Sequence, residues 1–440
     1  VTRHNLSVFE QLLFALLVVA ALVFSFINVK DSTGWLLLLL SFPLFLLDPA
    51  VRGDKKTRYT VWVVLAAHHA IAFVFVLELV DLSIDAESFH RHAVKFATKG
   101  DHFFAIDFDF YVQAMGIIYR LGGFYRLGGA SRLLAAQISV FGFAVALFFF
   151  LKVLDLRKFG DLRPLAVLLF GCIPSVVIYT SIPLRESAEL ALLILFTYLF
   201  MLFLREPRAW LLLAVLPVLL LFGILHKGLI LYAVFLAALV MLAAILVTVN
   251  KRVSPALLPV ALLIPLGCVV TVYFVSFYDV PNSGMVNYFL SGEISENLER
   301  GRELILGDNP RSAFSADIDF SSIGMFGVTY LQVYWQYMAA PFIWEVENMA
   351  DIVASGEAML RLTLLAATIL SLFRKRFDAV ASILFVLYLT MTMLWALGTT
   401  NYGQAVRHHV LTNWILVVLG LPHLLHLVKG CRRGSLVDAA

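Results

Sequence analysis

Two kinds of residue in this sequence could do chemistry together: carboxylates gathered in one polar stretch, and cations placed where the hydrophobic pattern disfavours them. The polar stretch is 81–132, DLSIDAESFHRHAVKFATKGDHFFAIDFDFYVQAMGIIYRLGGFYRLGGASR, the first long interruption of an otherwise apolar chain. It carries Asp81, Asp85, Asp101, Asp107 and Asp109. Asp81 and Asp85 stand four apart, so a helix holding both presents them on one face. The cations are Arg185, Lys227 and Arg407, accompanied by His226, His408 and His409. A positioned carboxylate can take a proton from a hydroxyl, and a cation can stabilise charge developing on a phosphate. Asp85 is the first candidate for the carboxylate, ahead of Asp81. The anion expected at Arg185, Lys227, Arg407 and His226 is a lipid-linked phosphate or pyrophosphate. The plainer alternative makes each cation a structural ion-pair member, Arg185 bonding Glu186, Glu189 or Asp85.

The elements that must position these residues follow from composition. The chain is 61% hydrophobic and 14% charged, with a mean hydropathy of +0.90, far from the soluble norm. An all-α polytopic membrane protein is expected. A net charge of +3, with basic residues in short clusters between apolar runs, argues against nucleic acid as a partner. Cys172, Cys268 and Cys431 lie in or beside apolar segments without metal-ligand spacing. Runs long enough to cross roughly 30 Å of hydrocarbon cover 8–28, a short 35–49, 59–80, 133–151, 164–182, 187–204, 209–225, 228–249, 256–276, 355–373, 378–398 and 409–428, about twelve spans. The first is of bilayer length with no small-residue cleavage site after it, and reads as a retained helix.

Orientation comes from the basic loops, because Lys and Arg of short loops collect on the cytoplasmic side. Every second loop is basic: 52–58, 152–163, 205–208, 250–252, 374–376 and the tail 429–434. Both termini are then cytoplasmic. The loops 29–34, 81–132, 181–187, 226–228, 277–354 and 398–409 face the other side and hold most residues capable of chemistry. No GxxxxGK[ST] phosphate loop is present. Within 81–132, ESFHRHAVKFAT reads as a short amphipathic helix lying in the interface, with Phe89, Ala93 and Phe96 on one side and His90, Arg91 and Lys95 elsewhere. The aromatic segment 324–348 reads either as an interfacial helix or as a sugar platform built from Trp335, Tyr337 and Trp344, with Tyr402 from the last outer loop. Glu345 and Glu347 are the acids nearest that platform and reserves for the base.

A family resemblance rests on particular stretches. An acid after an early span, two interfacial helices in the same loop, and the run LFGCIPSVVIYTSIPLRESAELALLILF resemble the GT-C class of integral-membrane glycosyltransferases, most clearly over 75–250. Pro174, Tyr179 and Ser181, followed by Arg185-Glu186-Ser187, match its proline-containing span, polar turn and Glu opening the next span. The stretches PFIWEVENMADIVASGEAMLRL at 341–362 and TNYGQAVRHH at 400–409 are similar to Wzy-like polymerases of O-antigen and exopolysaccharide assembly, where an Arg near the start of the last span matches Arg407. One departure is that two spans, not one, precede the helix leading into the acidic loop.

The resemblance implies a single integral-membrane domain, 1–440, comprising an N-terminal helical hairpin (1–58), a GT-C-like module (59–250) and variable C-terminal helices (251–440). It implies glycosyl transfer from a polyprenyl-linked donor on the extracytoplasmic face of a bacterial inner membrane, to a lipid-linked or glycan acceptor, alongside other polysaccharide-assembly proteins. Asp85 is then the base, and Arg185, Lys227 and Arg407 bind the (pyro)phosphate. A divalent cation, Mg or Mn, is compatible with the loop's acids, without a ligand-spacing motif behind it. The competing class, a transporter or flippase, requires ionisable residues in mid-membrane and internal symmetry. The sequence displays neither plainly; His68-His69 is the exception, with a hydrogen-bonded pair as its ordinary reading.

Overall fold

The computed structural model describes residues 31–79, 83–99, 109–124, 129–249, 312–319, 321–374 and 378–437, with isolated positions between 15 and 23. Among these the chain is almost wholly helical, and its extended pairing is an isolated antiparallel bridge of Ala313 with Asn401. The chain divides into two compact units, Val1–Leu156 with Val177–Val286, and Arg157–Val176 with Asn287–Ala440.

The first unit contains α1 (Ser32–Ser41), α2 (Lys55–Val76), α3 (Ile84–Lys99), α4 (Phe110–Phe124) and α5 (Arg132–Leu156). A short helix α6 (Arg163–Gly171) and a shorter α7 (Pro174–Tyr179) follow, then α8 (Glu186–Arg205), α9 (Ala209–Leu225) and α10 (Lys227–Val249) return to the first unit. The second unit holds α11 (Ile323–Ala339), α12 (Met349–Phe373), α13 (Ala379–Gly398), α14 (Tyr402–His408) and α15 (Asn413–Val437). Among the described residues, five helices are long and apolar enough to cross a membrane: α2, α5, α8, α12 and α13. A sixth results if Tyr402–Leu411 and Asn413–Val428, bent by 72°, count as one.

This is fewer than the twelve expected from the sequence, for identifiable reasons. The 256–276 run, and 8–28 apart from isolated positions, lie outside the described residues. The 35–49 run is not one helix: α1 ends before Pro43, where a 3-10 turn Pro43–Leu47 takes over. The 164–182 run is likewise split at Cys172-Ile173, just ahead of Pro174. Proline has no N–H to give the preceding turn and crowds its carbonyl, so both runs break there. Ala209–Leu225 is apolar but short, and in α10 the side chains are described without interruption only over Tyr232–Leu246.

In the first unit α5 is apolar on all sides and packs against α1, α2 and α8, as a helix enclosed by neighbours must. Asp54 starts α2 by accepting from the backbone of Lys56 and Thr57 at 3.0 and 3.3 Å. Between α2 and α5 the chain forms the paired helices α3 and α4. The buried residues of α3 are Ala86, His90, Ala93 and Phe96, three or four apart, while Arg91, His92, Lys95, Thr98 and Lys99 are exposed. His90 therefore belongs to the packed side, a correction to the sequence reading. Gly116 permits the close approach of α4: a Cβ there would lie 2.6 Å from Phe96 Cδ1. Phe96, Met115 and Tyr119 share an apolar cluster with Leu134 and Ala135, fixing the pair at the first turn of α5.

In the second unit α12 and α15 cross so closely that a Cβ at Gly420 would sit 2.5 Å from the Leu364 carbonyl oxygen. Asn348 starts α12 by accepting from Asp351 N at 3.0 Å, and Asn401 starts α14 by accepting from Gln404 N at 2.8 Å. Strand-like bonds, Phe314 N to Thr400 O at 2.8 Å and Tyr402 N to Ser312 O at 3.0 Å, tie segment 312–319 to the turn before α14.

Candidate functional site

In the first unit, Arg185 stands at the start of α8, where the helix dipole is unfavourable to a cation. Its guanidinium is held by carboxylates instead: Nη1 lies 3.1 Å from Asp109 Oδ2 and Nε 3.4 Å from Glu189 Oε1. The Phe89 ring of α3 lies beneath it, 5.7 Å from centroid to Cζ. Asp109 immediately precedes α4 and also accepts from Tyr111 N at 3.0 Å. Thus α3, α4 and α8 each contribute a group. Glu186 and Glu189 are buried in the first turn of α8, the favourable end for an anion.

Around this cluster the neutral groups are fixed as well. Tyr111 Oη lies 3.2 Å from Ser139 Oγ. Burial, with the nearby charges of Glu186, Asp109 and Glu189, pushes the Tyr111 phenol well above its usual range, so it stays protonated. Tyr119 is raised by burial too, and it lies 2.9 Å from His90 Nδ1, whose own pKa burial lowers. Arg132 pairs with Glu78 and with Glu87, the latter at 3.0 Å, linking the end of α2, the start of α3 and the start of α5.

Asp85 is exposed in the first turn of α3. Asp81, Asp101 and Asp107 lie outside the described residues. Among the described residues, the carboxylate brought to Arg185 from the polar loop is Asp109, one of the alternatives to Asp85. Glu189 partners Arg185 as the structural alternative anticipated. With two acids already on it, Arg185 has little charge left for a phosphate. His226 is half-buried between α9 and α10; Lys227 opens α10, with a side chain outside the described set.

The remaining candidates belong to the second unit. Trp335 is 55% and Trp344 80% exposed, and Phe342 stacks with both, at 6.5 and 4.9 Å between centroids. Glu345 is exposed beside them and accepts from Phe342 N at 2.9 Å; Glu347 is exposed also. Tyr337 faces the other way, wholly buried with its ring 4.3 Å from that of His409. Seventeen residues of helix cannot show every aromatic on one side, and the 335-to-337 step turns about 200°. Tyr402 donates to the buried Asp351 carboxylate at 3.0 Å. Arg407 is half-buried on α14, and His408 stacks on Trp395 at 3.9 Å with Nδ1 2.9 Å from Thr399 Oγ1.

Sequence reasoning missed a second charged centre inside a candidate span, because the central positions of most spans are Leu, Val, Phe and Ala. Glu357 and Arg361 lie near the middle of α12, buried, with 3.9 Å between Oε1 and Nη1. Glu357 accepts from Ser175 N and Oγ at 3.1 and 2.6 Å and from Asn413 Nδ2 at 3.2 Å. Arg361 donates through Nε and Nη2 to the Met338 carbonyl at 3.1 and 2.8 Å, and His409 Nε2 donates to the Tyr337 carbonyl at 3.0 Å. The carbonyls at the end of α11 are therefore satisfied by a cation and an imidazole. Spacing of an acid and a base by four within SGEAMLRL was the available signal.

His68 and His69 are held in the ordinary way: His68 Nδ1 donates to Val64 O at 2.9 Å, its ring lies on Phe143 at 3.8 Å, and His69 Nε2 meets Ser41 Oγ at 2.9 Å. Among the described residues, no group of three or more His, Cys, Asp or Glu is arranged to hold a metal ion. No family model matches the chain, and no curated protein matches its sequence.

Proposed function

We propose that the chain is a membrane glycosyltransferase or polysaccharide polymerase of GT-C-like, roughly twelve-span architecture. It transfers a sugar or oligosaccharide from a polyprenyl-(pyro)phosphate donor to a lipid-linked or glycan acceptor, on the extracytoplasmic face of a bacterial inner membrane. The observation that carries this reading is the polar loop between α2 and α5. It folds into two helices over the first turn of α5 and meets Arg185 with Asp109. An exposed carboxylate, Asp85, lies on the outward edge of the same element.

In this reaction the acceptor hydroxyl oxygen attacks the anomeric carbon. A carbon–oxygen bond forms there as the bond to the donor phosphate oxygen breaks, and the hydroxyl proton passes to the Asp85 carboxylate. In the first unit Lys227 and His226 are the proposed phosphate ligands and Arg185 positions Asp109; Arg407 is the candidate cation of the second unit. The exposed Trp335–Phe342–Trp344 stack suits the apolar faces of pyranose rings, with Glu345 and Tyr402 as hydroxyl partners.

The test is incubation of purified protein with polyprenyl-phosphate- and polyprenyl-pyrophosphate-linked sugars and an acceptor, following formation of the glycosidic bond. Asp85→Asn is expected to lower turnover by about a hundredfold or more, the scale of a lost general base. Full turnover in Asp85→Asn with loss in Asp109→Asn would move the base to Asp109. A second reading, a transporter or flippase of lipid-linked sugars, is favoured by the buried Glu357–Arg361 pair within the candidate span α12. Movement of the labelled lipid across the bilayer without a new glycosidic bond selects it.

A further inference from the structure

The outward face of α3 has no role in the cluster around Arg185; the exposed acid Asp85 is confined to its first turn, and from Arg91 onward the exposed charge is of one sign. Arg91, Lys95 and Lys99 recur every four residues and are all exposed, with His92 and Thr98 beside them. The acid nearest along the helix, Glu87, is taken by Arg132 at 3.0 Å, and among the described residues no ion pair is formed by Arg91 or Lys95. The opposite face is spent on protein: Ala93 and Phe96 pack against α4 and α5. Nothing apolar remains for this helix to bury on its outer side. Whatever it meets there must answer the charge.

Chain connectivity sets its level. Residues 77–83 separate the end of the candidate span α2 from α3, a reach of at most about 25 Å. The α3–α4 pair then seats on the first turn of the candidate span α5. A helix tied between two span ends and packed on one of them lies at the depth of lipid phosphates. We infer that the Arg91–Lys95–Lys99 face of α3 docks on the headgroups of anionic phospholipid. Arginine and lysine at a membrane surface gain from such phosphates, and the gain is screened by salt. This inference does not depend on glycosyl transfer.

The experiment places the full-length protein in nanodiscs of pure phosphatidylcholine and of phosphatidylcholine with phosphatidylglycerol. Amide hydrogen exchange is followed over 84–99. Exchange in the wild type is expected to slow in the anionic discs by about fivefold for each cation engaged. The triple variant Arg91→Gln, Lys95→Gln, Lys99→Gln should lose the difference, while Arg91→Lys, Lys95→Arg, Lys99→Arg should keep it. Unchanged exchange over 110–124 in both variants verifies that the helix pair remains folded. Equal exchange of the wild type in the two discs overturns the inference. So does equal slowing by inorganic phosphate in phosphatidylcholine discs, which would make the face a soluble-anion site.

Discussion

Arg185–Glu189 in the first unit and Glu357–Arg361 in the second are both arginine–glutamate pairs four residues apart on a candidate span, and they differ in order, depth and partners. In the first, the arginine comes first and stands at the positive end of its helix. It is retained there because Glu189 and the distant Asp109 supply compensating charge, and both Arg185 and Asp109 keep 17% of their side-chain surface exposed. In the second, the glutamate comes first, the order the helix dipole favours, and both side chains are at most 2% exposed. Its members meet the ends of two other helices: Glu357 accepts from the opening N–H of α7, and Arg361 donates to the Met338 carbonyl at the close of α11. A pair at the rim can rearrange around a ligand. A pair in the interior acts as a joint, because leaving either charge alone there is costly.

The sharpest way to break this comparison is to strip one member of the inner pair. Arg361→Ala leaves Glu357 without its cation and bares the Met338 carbonyl, so it should cost about 3–5 kcal/mol of stability in detergent unfolding. The neutral pair Glu357→Gln with Arg361→Met should recover much of that. A loss below about 1 kcal/mol, typical of a surface pair, would remove the distinction between joint and rim.

At the rim the same cut should be milder. Arg185→Gln is expected to cost about 1–2 kcal/mol, since water and side-chain movement answer part of the stranded charge. That stability loss should be partly restored by Asp109→Asn, measured as a double-mutant cycle in detergent unfolding. A stability loss matching that of Arg361→Ala would make the rim pair a joint as well.

The smallest expected effect is on pH. Burial lowers the pKa of His90 from the ordinary 6.5, so the unfolded chain takes up the proton first. The stability due to neutral His90 is full above that value and is lost as pH falls toward the folded pKa. Exchange over 84–124, corrected for its intrinsic pH dependence, should quicken between about pH 7 and pH 5, and His90→Gln should flatten the response. An unchanged slope in His90→Gln would assign the titration elsewhere.

Much of the outline was legible from composition and period. The apolar runs that became α2, α5, α8 and α13 differ from their sequence ranges by a few residues, because a crossing needs a nearly unbroken apolar run and little else. The amphipathic helix within 81–132 was legible for the same local reason, though His90 fell on the wrong side. An imidazole can satisfy either environment, and only Tyr119, twenty-nine residues away, determines which. Pro43 and Pro174 stand in the sequence letter by letter, but the apolar residues on both sides keep each run long enough to read as one span.

By itself, then, the sequence determined that the chain is an apolar helical protein and which residues carry charge. Hydrophobicity and backbone sterics act locally and need no partner to be read. Tertiary structure alone decided that Asp109 and not Asp85 meets Arg185, that Tyr337 turns inward, and that Glu357 and Arg361 hold two helix ends. Each of those outcomes depends on a hydrogen bond or charge supplied from far along the chain. For a buried ion pair within a candidate span, only the folded neighbours tell whether its charge is answered.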